Sequence, residues 1–529
     1  VVAMLNDWRP IAVLVWQAYP LPTVLIAALL TALLGVAVWR LRPLTLRPYV
    51  PVRWWSHGLQ SLILAAVIVL AARGGAQVKP ISENMAFGSG NLALGHLTLN
   101  AVFTATKAFG RGHTQYQLMP EAQAEQATRH LLGLNGPAAM PDYPLWRRVD
   151  VPPVPKPRNL VVIVIESWSP QMIGVMGGTP GVTPRFDALT KEGMFFPNFY
   201  ANGTRSLEGI ATVLTGYPAL PNAALIGSSL EQNAMTSLSG ILKTRGYRTL
   251  FLHGAYRGSM WFDHFAARHG FDTFIAKEDF PDPAKMSDST WGIFDHYALE
   301  RLHQELERSK APFFGFFFSL SSHTPYELPD PKYAAFPDSE PNARQLNSFH
   351  YTDFALGRFF DLAKRSAYWK DTVFIITGDH NMGGPFLNRR QSMHIPLLIL
   401  NPADPAFPRG INPTLGSQAA IAPTALQMLG ISTSYDFAAN SLLAPVAQRF
   451  GMFAWGGTAG WINDQSLLVH DLTKPIALYR WRDDPTLQNN LWGKPGAAVD
   501  AAATDFAAYL QTVNNLLVHN RVAPREAPP

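Results

Sequence analysis

Three short stretches of this sequence carry residue types that hold a cation and attack an electrophile. Leu160 to Ile165 (LVVIVI) runs into Glu166-Ser167, and Val373 to Ile376 runs into Thr377-Gly378-Asp379-His380-Asn381. A carboxylate directly after a buried strand sits at the carboxyl edge of a sheet, where α/β proteins place their sites. Glu166, Asp379 and His380 at one edge form an oxygen and nitrogen donor set suited to Mn²⁺, Mg²⁺ or Zn²⁺. Alone, Glu166 reads equally as a salt-bridge partner and Asp379 as a turn former; the combination points to a cation. The third stretch, Asn202-Gly203-Thr204-Arg205-Ser206, precedes the helical run LEGIATVL. Ser206 then lies near a helix N-terminus, where backbone N–H groups stabilise an anion, and beside a dication its hydroxyl would lose its proton more readily. The plainer reading makes Ser206 an N-cap, the usual role of serine there. His253 follows TLFL, His323 follows the FFGFFFSL run, and His394 precedes IPLLIL. At least one of these histidines is expected to touch substrate. Arg205 and Asp263 are further candidates.

The elements that must position these residues are legible as short apolar runs. Besides the two strands above, Thr249 to Leu252, Phe313 to Leu320 and Ile395 to Leu400 read as strands, with helices such as Leu207 to Leu214 and Tyr351 to Ala363 between them. The alternation implies an α/β sandwich with a mostly parallel central sheet. Residues 159–522 are assigned to this domain. Before it, residues 76–158 read as interfacial helices and a linker ending in Pro152, Pro153, Pro155 and Pro157. Residues 523–529 read as a disordered tail.

Residues 1–75 read as an α-helical transmembrane region. Leu21 to Trp39 is apolar without a charge, and at 1.5 Å per residue spans about 30 Å of hydrocarbon. Trp54 to Ala72 is a second such run, and the loop between them holds Arg40, Arg42, Arg47 and Arg53 with no acid. The positive-inside rule puts that loop in the cytoplasm and everything after Arg73 outside. The start at Val1-Val2 and the apolar Ile11 to Tyr19 read as a chain whose first helices are missing.

Composition narrows the classes. Of 529 residues 15% are charged, well below the roughly 25% of a soluble domain, which agrees with part of the chain lying in lipid. With no cysteine, a disulfide scaffold, a thiolate-bound zinc, an iron–sulfur cluster and a thiol nucleophile are excluded. The net charge of +5 comes without any Lys/Arg-rich block, so no nucleic-acid partner is expected.

The segments NLVVIVIES, TPRFDAL, FPNFYANGTRS, FLHGAY, SSHTPYELP, ITGDHN and MHIPLLIL, in this order, resemble the sulfatase-like lipoteichoic acid synthase family, which includes the bacterial phosphoglycerol transferases. The resemblance covers about residues 60 to 500 and implies an alkaline-phosphatase-like domain outside the membrane. By motif it implies Glu166, Ser206, Asp379 and His380 as ligands of one divalent metal ion, Mn²⁺ first, with Ser206 also the nucleophile. It implies His323 as a phosphate or leaving-group contact, and His253 and Trp261 as substrate-groove positions, with Arg205 beside them. The context of His394 resembles the Gram-negative branch, hence an inner membrane and a periplasm. The implied donor is phosphatidylglycerol and the acceptor a glycan or polyglycerophosphate. Two departures stand out: serine where the family usually has threonine, with Thr204 two residues earlier, and Asp263 where the Gram-positive synthases carry an arginine. Phosphoethanolamine transfer onto lipid A or a glycan, a phosphohydrolase and a catalytically dead binding protein are the alternatives. A type I sulfatase needs a C/S-x-P-x-R motif, which does not follow Gly203.

Overall fold

A computed structural model of the chain describes residues 114–524, apart from 222, 311, 385, 386, 495 and 496, together with eight scattered positions before residue 114. The two expected membrane runs, and residues 92–109 within the segment expected to form interfacial helices, lie outside the described residues, save for those eight helical positions. Among the described residues no helix is long and apolar enough to cross a membrane.

A two-stranded ladder joins β1 (Arg147–Val149) to β11 (Thr433–Tyr435). The central sheet has nine strands: β2 (Asn159–Ile165), β3 (Met194–Tyr200), β4 (Arg248–His253), β5 (Thr273–Ile275), β6 (Phe313–Phe318), β7 (Thr372–Gly378), β8 (His394–Leu400), β9 (Gly410–Ile411) and β10 (Gly416–Ser417). Their order is β10-β3-β8-β7-β2-β6-β4-β5, with β9 on β3. All pairings are parallel except those of β8 with β3 and β7, so the sheet is mixed and mostly parallel.

The β-branched run of β2 is buried on both faces, as a central parallel strand must be. Its alternate residues feed opposite cores. Leu160, Val162 and Val164 face α3 (Ser206–Thr215), α4 (Leu238–Thr244) and α8 (Ile421–Met428). Val161, Ile163 and Ile165 pack with α2 (Pro184–Leu189), α6 (Asp295–Glu307) and α7 (Ala343–Ala363). Between α4 and α6 lies the short α5 (Phe262–Arg268). The register levels the strand ends: Ile165 pairs with Gly378, Val164 with Phe318, and His253 with Phe318. The segments after β2, β4, β6 and β7 therefore leave from one edge.

A second, antiparallel sheet of β12 (Phe450–Trp455), β13 (Thr458–Asn463), β14 (Leu467–His470) and β15 (Pro475–Tyr479) shares a core with α1 (Glu121–Leu131) and α9 (Ala497–Val518). Tyr116, Leu131, Leu132 and Leu145, which precede the proline-rich segment, are buried there against Phe506, Tyr509 and Leu510. Of the expected tail, Ala523 is buried and residues 525–529 lie outside the described residues.

Candidate active site

At the end of β2 the chain turns sharply, with Ser167 in the left-handed region (φ 54°), a strained conformation of the kind that gathers at functional sites. The turn is tied down on both sides. Glu166 donates its N–H to Ser319 Oγ (2.8 Å) and accepts Ser322 Oγ–H at its carbonyl (2.7 Å). Ser167 donates its N–H to Asp379 Oδ1 (2.7 Å) and its hydroxyl to Glu166 Oε1 (2.7 Å). Neighbouring strands thereby aim the Glu166 and Asp379 carboxylates at one another.

His380 completes the group. Its backbone N–H donates to Asp379 Oδ1 (2.8 Å), and its Nδ1 donates to the carbonyl of Asn381 (2.9 Å). A ring held by Nδ1–H keeps its lone pair on Nε2, the arrangement of a metal-binding histidine. That Nε2 lies 3.2 Å from Asp379 Oδ2 and 3.8 Å from Glu166 Oε1.

Ser206 enters as the first residue of α3. Arg205 occupies the cap position, and Glu208 reaches back to accept the N–H groups of Thr204 (2.8 Å) and Arg205 (3.2 Å). The hydroxyl of Ser206 is thereby spared capping and donates to Glu166 Oε2 (3.2 Å). Thr204 is exposed, whereas Ser206 makes the bond into the cluster. The helix sits this close because Gly209 has no side chain: a Cβ there would fall 2.2 Å from the Asp379 carbonyl oxygen.

Gln418, fully buried, joins the two segments. Its Nε2 donates to the carbonyls of Gly378 (2.9 Å) and Asp379 (2.6 Å), and its Oε1 accepts the N–H of Asn202 (3.0 Å). Gln418, Asn202, Ser319 and Ser322 escape a sequence reading. Each is an ordinary polar residue in a loop or element end, recognisable only once its partners are in place.

The electrostatics are those of a site short of positive charge. Burial raises the Glu166 carboxyl, but His380 and then His323 hold it below the usual carboxylate range. Burial, and then the charge of Glu166, push Asp379 up to about 7. Burial lowers His380, and the two carboxylates more than offset this, so it ends above the usual imidazole range. Asp379 Oδ2 is buried and makes no hydrogen bond among the described residues, the His380 nitrogen at 3.2 Å being out of alignment. Candidate ligand atoms of Glu166, Asp379 and His380 lie within 4.8 Å of one another. Two carboxylates, one of them with an orphaned buried oxygen, an imidazole lone pair and a hydroxyl fit a divalent cation.

The other candidates divide. His253 ends β4, buried, with Nδ1 on the Phe318 carbonyl (3.1 Å) and Nε2 without a partner among the described residues. Burial pushes it down to about 4, and Glu166 is near enough to oppose that shift. His323 stands on the loop after β6, half-buried, with Nδ1 on the Thr324 carbonyl (2.8 Å) and its ring 4.2 Å from Trp291. Trp291 Nε1 donates to the same carbonyl (2.7 Å), a pairing the sequence does not signal. Trp261 is also left-handed (φ 59°) and packs over Gly227, where a Cβ would meet its ring at 2.9 Å. The next residue, Phe262, puts its ring edge-on to His253 at 5.4 Å. Arg205 is exposed and ion-paired with Glu208 (2.7 Å). Asp263 is paired with His264 Nδ1 (2.9 Å). His394 reaches the same sheet edge, but its Nε2 turns to the Pro197 carbonyl and its ring stacks on Tyr200 at 5.3 Å. The structure does not bring His394 into the Glu166–Asp379–His380 group, because its ring faces β3.

Comparison with known proteins agrees with this geometry. The sulfatase family's sequence profile matches residues 158–431, just over half the chain. Lipoteichoic acid synthase 1 of Bacillus subtilis (strain 168) is 26% identical over 303 residues, 53% of this chain and 46% of that protein. Phosphoglycerol transferase I of Salmonella arizonae is 27% identical over 284 residues, 47% of this chain and 35% of that protein. The chain thus spans half or less of the curated relatives it matches. Among solved structures, a protein in the alkaline phosphatase superfamily from Vibrio parahaemolyticus superposes with a TM-score of 0.68 and 27% identity, over 78% of this chain and 99% of that one. The lipoteichoic acid synthase LtaP from Listeria monocytogenes, at 0.59 and 19% identity over 69% and 92%, shares the fold. With that profile, that fold and the strand-end site it carries, this chain belongs to the sulfatase family.

Proposed function

We propose that this chain is a membrane-anchored phosphoglycerol transferase. It would move glycerol phosphate from phosphatidylglycerol to a hydroxyl of a glycan or polyglycerophosphate acceptor, through a covalent intermediate on Ser206. The observation that carries this reading is the hydrogen bond from Ser206 Oγ to Glu166 inside a buried cluster of two carboxylates and a histidine. The activities in the names of the curated relatives support it.

Glu166, Asp379, His380 and Ser206 would hold one divalent cation, Mn²⁺ first and Mg²⁺ or Zn²⁺ as alternatives, whose charge favours the serine alkoxide and offsets charge growing on a phosphoryl oxygen. The bond to Glu166 directs the Ser206 proton inward and leaves lone pairs on Oγ for phosphorus. The P–Oγ bond forms as the bond from phosphorus to the diacylglycerol oxygen breaks. His323 offers the leaving oxygen a proton from Nε2, since its Nδ1 is committed to Thr324. An acceptor hydroxyl then attacks the same phosphorus as the P–Oγ bond breaks; His323, left neutral by the first step, takes the acceptor's proton at Nε2, and the proton that Ser206 passed toward Glu166 returns to Oγ, which makes the kinetics ping-pong. His253, buried and neutral, presents an Nε2 lone pair that would accept a hydroxyl of the glycerol head group. Trp261 and Arg205 would line the substrate groove beside it, with His394 supporting the wall through Tyr200.

In this reading residues 1–75 anchor the chain in a bacterial inner membrane and residues 159–522 work on the periplasmic face; of the expected connector 76–158, Tyr116, Leu131, Leu132 and Leu145 pack into the core that α9 closes. Two apolar runs around an arginine-only loop support it. Anchoring matters because a lipid donor stays in the bilayer, and a tethered site searches a confined volume.

One observation favours phosphoethanolamine as the transferred group. Burial raises the Asp263 carboxyl, but His264 holds it below its usual range, so an anion stands two residues from Trp261. That anion is already met by an imidazole, and phosphatidylglycerol remains the better donor. The test is diacylglycerol release by the full chain in vesicles of either lipid, with Mn²⁺ or with chelator. Release from phosphatidylglycerol that the chelator stops is expected. Release from phosphatidylethanolamine alone would replace the donor, and release indifferent to chelator would remove the metal.

A further inference from the structure

Residues 287–295, which lead into α6, lie between the chain that leaves β4 and the chain that leaves β6. On the first side, Ile293 donates its N–H to the carbonyl of Gly254 (2.9 Å), the residue after His253, and Gly292 pairs with Ala255. The contact is closed, since a Cβ at Gly292 would fall 2.2 Å from the Gly254 carbonyl oxygen. On the second side the buried Asp295 accepts the N–H groups of Leu320 (2.8 Å) and Ser321 (3.1 Å) and donates its own to Ser321 Oγ (3.0 Å). Those two residues stand between Ser319 and Ser322, which hold the Glu166 backbone. Beyond His323, Ser289 donates its N–H to Glu327 (2.8 Å). The segment is therefore stapled to the His323 loop before and after the histidine.

Trp291 stands at the tip of this segment. Asp288 Oδ1 accepts the N–H groups of Thr290 (3.0 Å), Trp291 and Gly292 (2.9 Å), so one carboxylate oxygen fixes the turn. Trp291 is half-buried and belongs to none of the hydrophobic cores of the described residues. Its ring lies against His323 instead, with centres 4.2 Å apart and planes inclined by 56°. Its Nε1–H takes one lone pair of the Thr324 carbonyl (2.7 Å) and the Nδ1–H of His323 takes the other (2.8 Å). A single hydrogen bond fixes where Nδ1 lies but leaves the imidazole free to turn about it. An indole fastened to the same carbonyl and packed on the ring removes that freedom.

We propose that Trp291 is a positioning residue for proton transfer at the leaving oxygen: with the Thr324 carbonyl it sets the plane of the His323 ring, and so the direction of Nε2. The proton passes from Nε2 to that oxygen as its bond to phosphorus breaks, and His323 is left neutral with Nδ1–H still on Thr324. The identity of the leaving oxygen rests on the transfer reading, whereas the hold on His323 does not.

The test compares the full chain with Trp291→Leu, which removes ring and donor, and Trp291→Phe, which keeps a ring without the N–H. Diacylglycerol release from phosphatidylglycerol should fall about 10–10²-fold in Trp291→Leu, through kcat and not KM, and by less in Trp291→Phe. With the p-nitrophenyl ester of glycerol phosphate, whose leaving group needs no proton, the loss should stay below about threefold, which also shows that the variant is folded. Trp291→Leu/His323→Gln should be no slower than His323→Gln, because both changes remove one function. Equal losses on the two esters, or losses that multiply in the double variant, overturn the proposal. A second readout needs no turnover: ring-nitrogen NMR of the histidine-labelled full chain, with His323 assigned by its loss in His323→Gln. Wild type should show His323 as one Nδ1–H tautomer, and Trp291→Leu an average of two, as the ring leaves the carbonyl part of the time. An unchanged tautomer in Trp291→Leu overturns the proposal as well. Failure of the transfer reading would show separately, as wild type that releases no diacylglycerol, and the nitrogen spectrum then decides the hold on His323 by itself.

Discussion

A histidine whose Nδ1–H is committed to a carbonyl exchanges protons only at Nε2, and His323 is held in this way by Thr324. In its proposed role of protonating the leaving oxygen, it should matter in proportion to how badly that oxygen needs a proton. His323→Gln is expected to slow diacylglycerol release by about 10²–10⁴-fold. With a p-nitrophenyl ester of glycerol phosphate, whose leaving group departs unprotonated, the loss should shrink to less than tenfold. Equal losses on both substrates would give His323 a binding role only. At this scale the sequence supplied the types and order of the central residues but left their work open. From sequence position alone Ser206 reads first as an N-cap, and only the fold shows Arg205 in the cap position and the Ser206 hydroxyl on Glu166. His394 looks as promising as His323 in sequence, yet its Nε2 is spent on Pro197.

At the scale of elements, the site depends on how closely α3 approaches the end of β7. A methyl at Gly209 would press on the Asp379 backbone at 2.2 Å, a neighbour that cannot swing aside. Gly209→Ala should therefore destabilise the domain by about 1–3 kcal/mol and displace Ser206 from Glu166. Thermal unfolding with a Mn²⁺ titration would check it; unchanged stability and metal affinity would mean the helix shifts freely. Gln418→Leu removes the bridge between Asn202 and Asp379 and leaves buried carbonyls and an N–H unpaired, at about 1–3 kcal/mol for each such group. Turnover should fall more than donor KM rises, because the two halves of the site lose alignment. An effect on stability alone would make Gln418 merely structural. The strands that carry Glu166 and Asp379 were legible because each is a β-branched run ending at a polar turn. β3 was not, since MFFPNFY lacks such a run and carries a proline, and α7 begins at Ala343, where its polar first turn conceals the start. The partnership of residues 114–149 with α9 was beyond reach of any local pattern, as it joins segments almost 400 residues apart.

Across the whole molecule, buried ionisable groups set how the domain responds to acid. Burial pushes His269 down to about 3 from 6.5, and His253 and His394 down to about 4. Such a group is neutral in both states above pH 6.5; as pH falls below that, the unfolded chain takes up a proton that the folded chain refuses. The stability it contributes is lost between pH 6.5 and its folded value, at up to about 1.4 kcal/mol per pH unit. Buried carboxyls such as Asp295 and Glu231, pushed up to about 7 by burial, act in the opposite sense, so the difference between variant and wild type is the informative quantity. His269→Leu should flatten the loss of stability between pH 6.5 and 4 in denaturant titrations, and parallel profiles would mean that His269 does not resist protonation. The central claim concerns chemistry at one oxygen atom, and the most direct test is the intact mass of the full chain after incubation with Mn²⁺ and phosphatidylglycerol. The account predicts a glycerophosphate adduct on wild type and on Thr204→Ala, and none on Ser206→Ala. An adduct that survives in Ser206→Ala, or a wild-type protein that binds metal yet never gains the mass, would contradict it.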